Sequence, residues 1–145
     1  MSSAIEVGQV LSLKIRYNNS GNVSSVAHPY LVVGVNYELN VVEIAHLDSL
    51  RGKEWKAFKW GNKPIYATNP AETVIDRDSY IQMDNTFLLE NHSKLECYRR
   101  QKDKLSEKKL NAVVKAYREY HETHQIDEDK QVYMPIDELV SLQNT

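Results

Sequence analysis

The sequence predicts a mainly β fold, a small antiparallel barrel with a carboxy-terminal helix packed on it. Before residue 91, short runs of β-forming residues alternate with turn-forming residues. After residue 105, apolar residues recur at helical spacing. A chain of 145 residues suits one domain with one core. We therefore expect residues 1–124 to form the barrel domain with its helix, and residues 125–145 to form an acidic linker and a short carboxy-terminal helix.

The central element is the segment HPYLVVGVN at residues 28–36. Its nearly continuous Leu and Val residues predict a strand that is buried on both faces. Pro29 lacks an N–H group, so it suits the first position of a strand rather than its interior. His28 then lies at the strand end, where its side chain can reach solvent and ligands.

Other segments also have strand patterns. They are residues 8–17, whose alternation predicts a first strand with one wet face, residues 41–48, residues 64–68, and residues 80–90 as two strands or one bent strand. Residues 18–25 form a polar loop rich in turn formers. The first three strands most simply make an antiparallel meander.

The helix is predicted at residues 107–121, where apolar residues repeat every three to four positions. Ser106 suits its N-cap, and Leu105 can pack on Leu110. The pattern at residues 135–142 allows a second short helix that begins at Pro135.

Composition excludes several classes of protein. No apolar run approaches the roughly 20 residues of a membrane helix, and the first residues lack the pattern of a signal peptide. We therefore expect a cytoplasmic protein without membrane contact. Cys97 is the only cysteine and has no zinc-ligand spacing to the histidines, so no metal site is expected. Five glycines without a phosphate-binding motif disfavour a nucleotide-dependent enzyme, and no cofactor is expected.

Several short motifs, in order, resemble the MazF/PemK family of toxins. They are GQV at residues 8–10, HPYLVV at 28–33 where the family usually has Arg-Pro-x-Leu-Val-Ile, DSYI at 78–81, and the stretch 95–117 with KLSEKKL at 104–110. The resemblance covers roughly residues 8–121.

This resemblance implies an SH3-like barrel and a metal-independent endoribonuclease that cuts single-stranded RNA. It also implies a homodimer, and a toxin of a type II toxin-antitoxin system that a small cognate antitoxin protein neutralises. The sequence departs from the family at three places. The usual arginine before the proline is His28, the usual threonine falls on Asp48, followed by Ser49, and the late-strand arginine of some members falls near Phe87.

Cleavage of RNA without a metal needs a base, an acid and positive charge near the phosphate. Histidine can perform either proton transfer, because its pKa lies near neutrality. His46 and Asp48 are two residues apart and share one strand face, and the loop after the first strand can bring His28 close. With Ser49, these are the candidate catalytic residues. The sequence equally allows His28 and His46 to be hydrogen-bonded structural residues.

The segment 51–63 interleaves cations with aromatic residues, as single-stranded nucleic acid binding requires. The candidate RNA-binding residues are Arg16, Arg51, Lys53, Trp55, Lys56 and Trp60. Alternatively, both tryptophans belong to the core or to a dimer interface. Two functions stay open at this point: a ribonuclease toxin, and a catalytically inactive barrel that binds RNA or protein.

Overall fold

The fold was taken from a computed structural model, which describes residues 2–59 and 63–145. Its strands are β1 (Val10–Leu13), β2 (His28–Asn36), β3 (Val41–Ser49), β4 (Ser79–Ile81), β5 (Thr86–Glu90) and β6 (Gln131–Met134). Its α-helices are α1 (Glu54–Lys59), α2 (Glu107–Thr123) and α3 (Ile136–Gln143), with short 3-10 helices at Ser93–Tyr98 and Glu128–Lys130. Trp60 lies outside the described residues.

A six-stranded sheet forms the centre of the chain, and the prediction of a mainly β fold is confirmed. Its order is β1-β2-β3-β5-β6, and β4 also pairs with β3. β1, β2 and β3 form the predicted antiparallel meander. β3 is long enough for two partners on its far side, since residues 41–44 pair with β5 and residues 47–49 pair with β4.

The prediction of a purely antiparallel sheet is wrong at β6, which runs parallel to β5. Parallel neighbours need a long crossover connection, and α2 with its flanking turns supplies it between Glu90 and Gln131. β6 was not predicted from the sequence, because a strand of four residues with two buried side chains, Val132 and Met134, is too short for a recognisable alternation. Because β6 is parallel to β5 while the other pairs are antiparallel, the sheet is mixed. Among the described residues no ladder joins β1 to β6, so the sheet is not closed into a barrel.

Each face of the sheet has its own core. Val32 and Ile44 belong to one apolar cluster, which α3 covers, whereas Leu31 and Ala45 belong to a second cluster, which α2 covers through Val113 and Tyr117. Tyr30 to Val33 are all buried, so the prediction that β2 is buried on both faces is confirmed. Two-sided coverage also explains the run of Leu and Val, because neither face of β2 meets water.

Three local predictions need correction. The first strand is shorter than residues 8–17 and has no fully wet face, because Val10, Leu11 and Leu13 are all buried between the two layers. The segment 64–68 is not a strand; only Ile65 makes an isolated bridge, to Ser79. The segment 51–63 contains α1, which the sequence analysis did not predict.

The predicted helices are present. α2 begins at Glu107 as expected, with Ser106 as its N-cap residue, although the Ser106 hydroxyl makes no capping bond. α3 follows Pro135 and buries Ile136 and Leu139. None of the helices in the described ranges is long and apolar enough to cross a membrane.

Candidate functional site

Two histidine rings meet at the ends of β2 and β3. Tyr30 pairs with His46 in the ladder, and the two-residue period of a strand puts His28, Tyr30, His46 and Asp48 on one face. The ring centroids of His28 and His46 are 5.1 Å apart, with the rings edge to face. The structure thus brings together the two histidines that the sequence analysis singled out.

These rings line a pocket of about 430 Å³, here called the histidine pocket. Asp48 and Ser49, the other candidate catalytic residues, also line it. Its cationic side chains are Lys53, Arg77 and Arg100, and Asp76 is its second acid. A pocket that joins two imidazoles to three cations can hold a phosphodiester and exchange protons with it.

Asp48 is held by groups other than the histidines. Its carboxylate accepts hydrogen bonds from Lys53 Nζ at 3.2 and 3.3 Å, from Tyr80 Oη at 3.2 Å and from the Ser49 backbone N–H at 2.9 Å. Burial opposes ionisation of this carboxyl, but the hydrogen bond and the charge of Lys53 outweigh it, so the pKa of Asp48 is lowered. Asp48 is therefore a fixed negative charge, which reaches His46 through space.

The pKa of His46 is lowered, mainly because burial disfavours its charged form. The charge of Asp48 and a hydrogen bond with the Gln82 side chain act in the opposite direction, while His28 and Lys53 lower the pKa further. The net result is an imidazole that is neutral at pH 7, which is the form that can accept a proton.

Tyr80 belongs to the site, although the sequence analysis missed it. In the β3–β4 ladder it stands opposite Asp48. Burial and then the charge of Asp48 raise the pKa of Tyr80 to about 12, so its hydroxyl stays a donor at neutral pH. Its role depends on which strand pairs with the end of β3, and no local sequence pattern reports that pairing.

Arg77 and Arg100 were also missed as residues of the site. Arg77 lies two residues before β4. Arg100 follows the bridge between Leu11 and Arg99, and its backbone N–H donates to the Val10 carbonyl. Both were visible in the sequence only as members of charged stretches. Contacts between segments far apart in the chain bring them to the histidine pocket.

Two further pockets adjoin the histidine pocket. One, of about 610 Å³, is lined by Arg51 and Tyr66 and shares Ser49 and Arg77 with it. The other, of about 370 Å³, shares His28 and His46 and is here called the aromatic pocket. The histidine pocket thus shares lining residues with both of the other pockets, and the three neighbouring pockets are here called the groove.

The predicted RNA-binding residues divide into two groups. Arg51 and Lys53 line the groove. Trp55 and Lys56 stand beside it on α1, where Trp55 is 63% exposed and Lys56 Nζ lies 5.6 Å from the centroid of a Trp55 ring. Such an exposed side chain is not part of the core of this chain. Trp60 is outside the described residues.

Arg16 is not brought to the histidine pocket. Its guanidinium pairs with Glu138 at 2.7 Å, and it also donates to the Tyr133 carbonyl and to the Asn19 side chain, both at 3.0 Å. These bonds attach the loop after β1 to β6 and α3. Its donors are therefore used within the chain.

In the described part of the chain, no group of three or more His, Cys, Asp and Glu residues is placed to hold a metal ion. Comparison of the chain with models of protein families, with curated proteins and with solved structures gave no match.

Proposed function

We propose that this chain is an endoribonuclease that cleaves single-stranded RNA in the histidine pocket, without a metal. The observation that carries the proposal is the contact between His28 and His46, 5.1 Å apart in a pocket that also holds Lys53, Arg77 and Arg100. Two imidazoles supply both proton transfers of RNA cleavage, and the cations supply charge for the phosphate.

The proposed chemistry gives one proton transfer to each imidazole. His46, neutral because its pKa is lowered, takes the proton of the ribose 2′-hydroxyl. The 2′ oxygen then attacks the adjacent phosphorus, the bond from phosphorus to the 5′ oxygen breaks, and a 2′,3′-cyclic phosphate forms. His28 gives a proton to the departing 5′ oxygen. Lys53, Arg77 and Arg100 stabilise the negative charge that builds up on the phosphoryl oxygens.

The biological setting rests on the resemblance to MazF/PemK toxins. We propose a cytoplasmic toxin of a type II toxin-antitoxin system, acting as a homodimer and neutralised by a small cognate antitoxin. An SH3-like barrel belongs to the same proposal. It is supported by the β1-β2-β3 meander and by contacts of the loop after β1 with β6, where the Arg16 backbone N–H meets Met134 Sδ at 3.4 Å.

The test is cleavage of single-stranded RNA by the purified, antitoxin-free chain in EDTA. We expect fragments that end in a 2′,3′-cyclic phosphate, and no cleavage of the same sequence made of DNA. His28→Ala and His46→Ala should slow cleavage by about 10²–10⁴-fold, and Asp48→Ala should reduce it less, because the carboxylate acts on His46 only through space. His124→Ala is the matched control, because His124 is exposed and stacks on Tyr120 outside the pocket.

The second candidate function is a catalytically inactive module that binds RNA or protein. The bonds of Asp48 favour it, since this carboxylate accepts from Lys53 and Tyr80 and orients neither histidine by accepting a hydrogen bond from its ring. If the chain binds RNA but cuts none of any sequence, the catalytic proposal is wrong and the module remains.

A further inference from the structure

The aromatic pocket shares His28 and His46 with the histidine pocket and is otherwise lined by different residues. Several of these residues carry aromatic rings. The ring of Tyr30 is 5.2 Å from that of His46 and 6.1 Å from that of Phe87, at 88°. Tyr17, which is 41% exposed, closes the pocket from the loop after β1. Tyr30 and Phe87 are only 3% and 5% exposed, so the aromatic surface open to a ligand comes mainly from Tyr17, beside the imidazoles.

Its chemistry differs from that of the histidine pocket. Among the described residues that line it, none is Lys, Arg, Asp or Glu, and the two shared histidines are its only ionisable side chains apart from tyrosine. A phosphate would find no fixed cation here. An uncharged ligand with an aromatic face would lose little on leaving water and would stack on the rings.

Polar groups at the rim can read such a ligand. Gln82 and Asn85 contribute side-chain amides, and Ser25 contributes a hydroxyl. The Ser24 hydroxyl is already bonded to the backbone of Ile15. Gln82 is engaged with His46, whereas the described part of the chain provides no hydrogen bond to the Asn85 amide. An amide has two donor hydrogens and an acceptor oxygen, so it can bind the polar edge of a nucleobase.

We propose that the aromatic pocket holds one nucleobase of the RNA, next to the phosphate in the histidine pocket, with Asn85 and Tyr17 setting the base preference. This proposal deepens the proposed function and rests on it for the identity of the ligand. The two pockets share His28 and His46, so the base and the phosphate they hold belong to neighbouring positions of one strand.

The test is equilibrium binding of labelled DNA hexamers, followed by fluorescence anisotropy. DNA lacks the 2′-hydroxyl and is not cleaved by the proposed route, so binding is read separately from catalysis. Each hexamer carries a single type of base at alternate positions, and its remaining positions are abasic. A fully abasic hexamer measures the contribution of the backbone to the affinity. For the wild type we expect the best and the worst base to differ about fivefold or more in affinity.

Asn85→Leu removes the amide at similar size, and Tyr17→Ala removes an exposed ring without touching the core. Both should bring the four base-containing hexamers within about twofold of each other while leaving the affinity of the abasic hexamer unchanged. Asn111→Leu, on the exposed surface of α2, and Tyr37→Ala, which is 69% exposed at the hairpin after β2, are the matched controls. Both controls should keep the wild-type preference.

The outcomes separate the two proposals. Base preference that disappears only in the pocket variants supports the base-binding pocket even if no RNA is ever cut. Equal binding of all hexamers by the wild type, or a preference that survives in both variants, overturns it even if cleavage is found. Loss of affinity for every hexamer, the abasic one included, also overturns it, because the pocket would then contribute to backbone binding rather than base recognition.

Discussion

The ammonium of Lys53 spans both carboxylate oxygens of Asp48, with Nζ 3.2 Å from Oδ2 and 3.3 Å from Oδ1. This pair stands at the edge of the histidine pocket, between the end of β3 and the start of α1. Its positive member lowers the pKa of His46, and its negative member raises it. The pair therefore shifts the pKa of His46, the proposed base, through space.

Replacing Lys53 with Met tests this relationship. Lys53 is the main group that offsets the effect of burial on Asp48, so the pKa of Asp48 should rise without it. The pKa of His46 should also rise, because a nearby cation is removed. Both values can be followed by NMR titration. The acidic limb of the cleavage profile should move to higher pH. Lys56→Met is the control, and an unchanged His46 titration in Lys53→Met would contradict the prediction.

The role of His28 as the acid can be tested with a modified substrate. His28→Ala and His28→Arg should both slow cleavage by about 10²–10⁴-fold, since arginine supplies charge but does not give up its proton. A substrate with sulfur in place of the departing 5′ oxygen leaves as a thiolate and needs no acid. It should restore the rate of both His28 variants and not that of His46→Ala. Retained activity of His28→Arg on the ordinary substrate would instead indicate an electrostatic role.

Stability should fall with acidification because of His121. Burial lowers its pKa, and its Nε2 lies 2.9 Å from the Met83 carbonyl. The unfolded chain therefore binds a proton more readily, and the free energy of unfolding should decrease as the pH falls from about 7.5 to about 5.5. In His121→Gln this decrease should be shallower, whereas His124→Gln should keep the wild-type slope. Urea titrations at each pH measure the slopes, and identical slopes in all three proteins would refute the assignment.

The side chain of Lys109 should contribute strongly to the free energy of unfolding. Its Nζ donates to the carbonyls of Tyr66, Thr68 and Pro70 at 2.7–2.8 Å. It also pairs with Glu72 at 3.0 Å, and both side chains are largely buried. Lys109→Met leaves these carbonyls without their donor and leaves the Glu72 carboxylate with the Ser106 backbone N–H but no cation.

We expect Lys109→Met to lower the free energy of unfolding by about 3 kcal/mol. Amide exchange should also become faster at residues 66–72, which the ammonium holds together. Lys108→Met changes the exposed neighbouring lysine and should have little effect. A loss no larger than that of the control would mean that water replaces the ammonium without penalty.

Trp55→Ala separates RNA binding from folding. The ring is 63% exposed, so its removal should change the free energy of unfolding by less than about 0.5 kcal/mol. If a base stacks on it, the affinity for single-stranded RNA should fall by about 1–3 kcal/mol. Tyr37→Ala, a similarly exposed aromatic residue, should change neither quantity. Unaltered RNA affinity in Trp55→Ala would remove α1 from the binding surface.

The sequence predicts the parts of the fold whose signal is local. β2 has a nearly continuous apolar run, whereas β3 and α2 have long runs with a clear period. The two-residue spacing of His46 and Asp48 predicts that both lie on one face of β3. The partners of these residues could not be predicted in the same way. Tyr80 and Arg100 reach the site through pairings between distant segments, and the four residues of β6 have too little pattern to identify a strand.

The attachment of the loop after β1 to α3 affects when the chain can fold. Arg16 and Glu138 are separated by 122 positions, and the bond from the Lys14 backbone to the Gln143 side chain spans 129. Contacts so far apart in sequence form slowly, because a long loop must close before they contribute. During synthesis the apolar cluster that contains Val32 and Ile44 stays uncovered until α3 has left the ribosome. A nascent chain therefore cannot complete its native structure early, and part of its apolar surface stays uncovered until then.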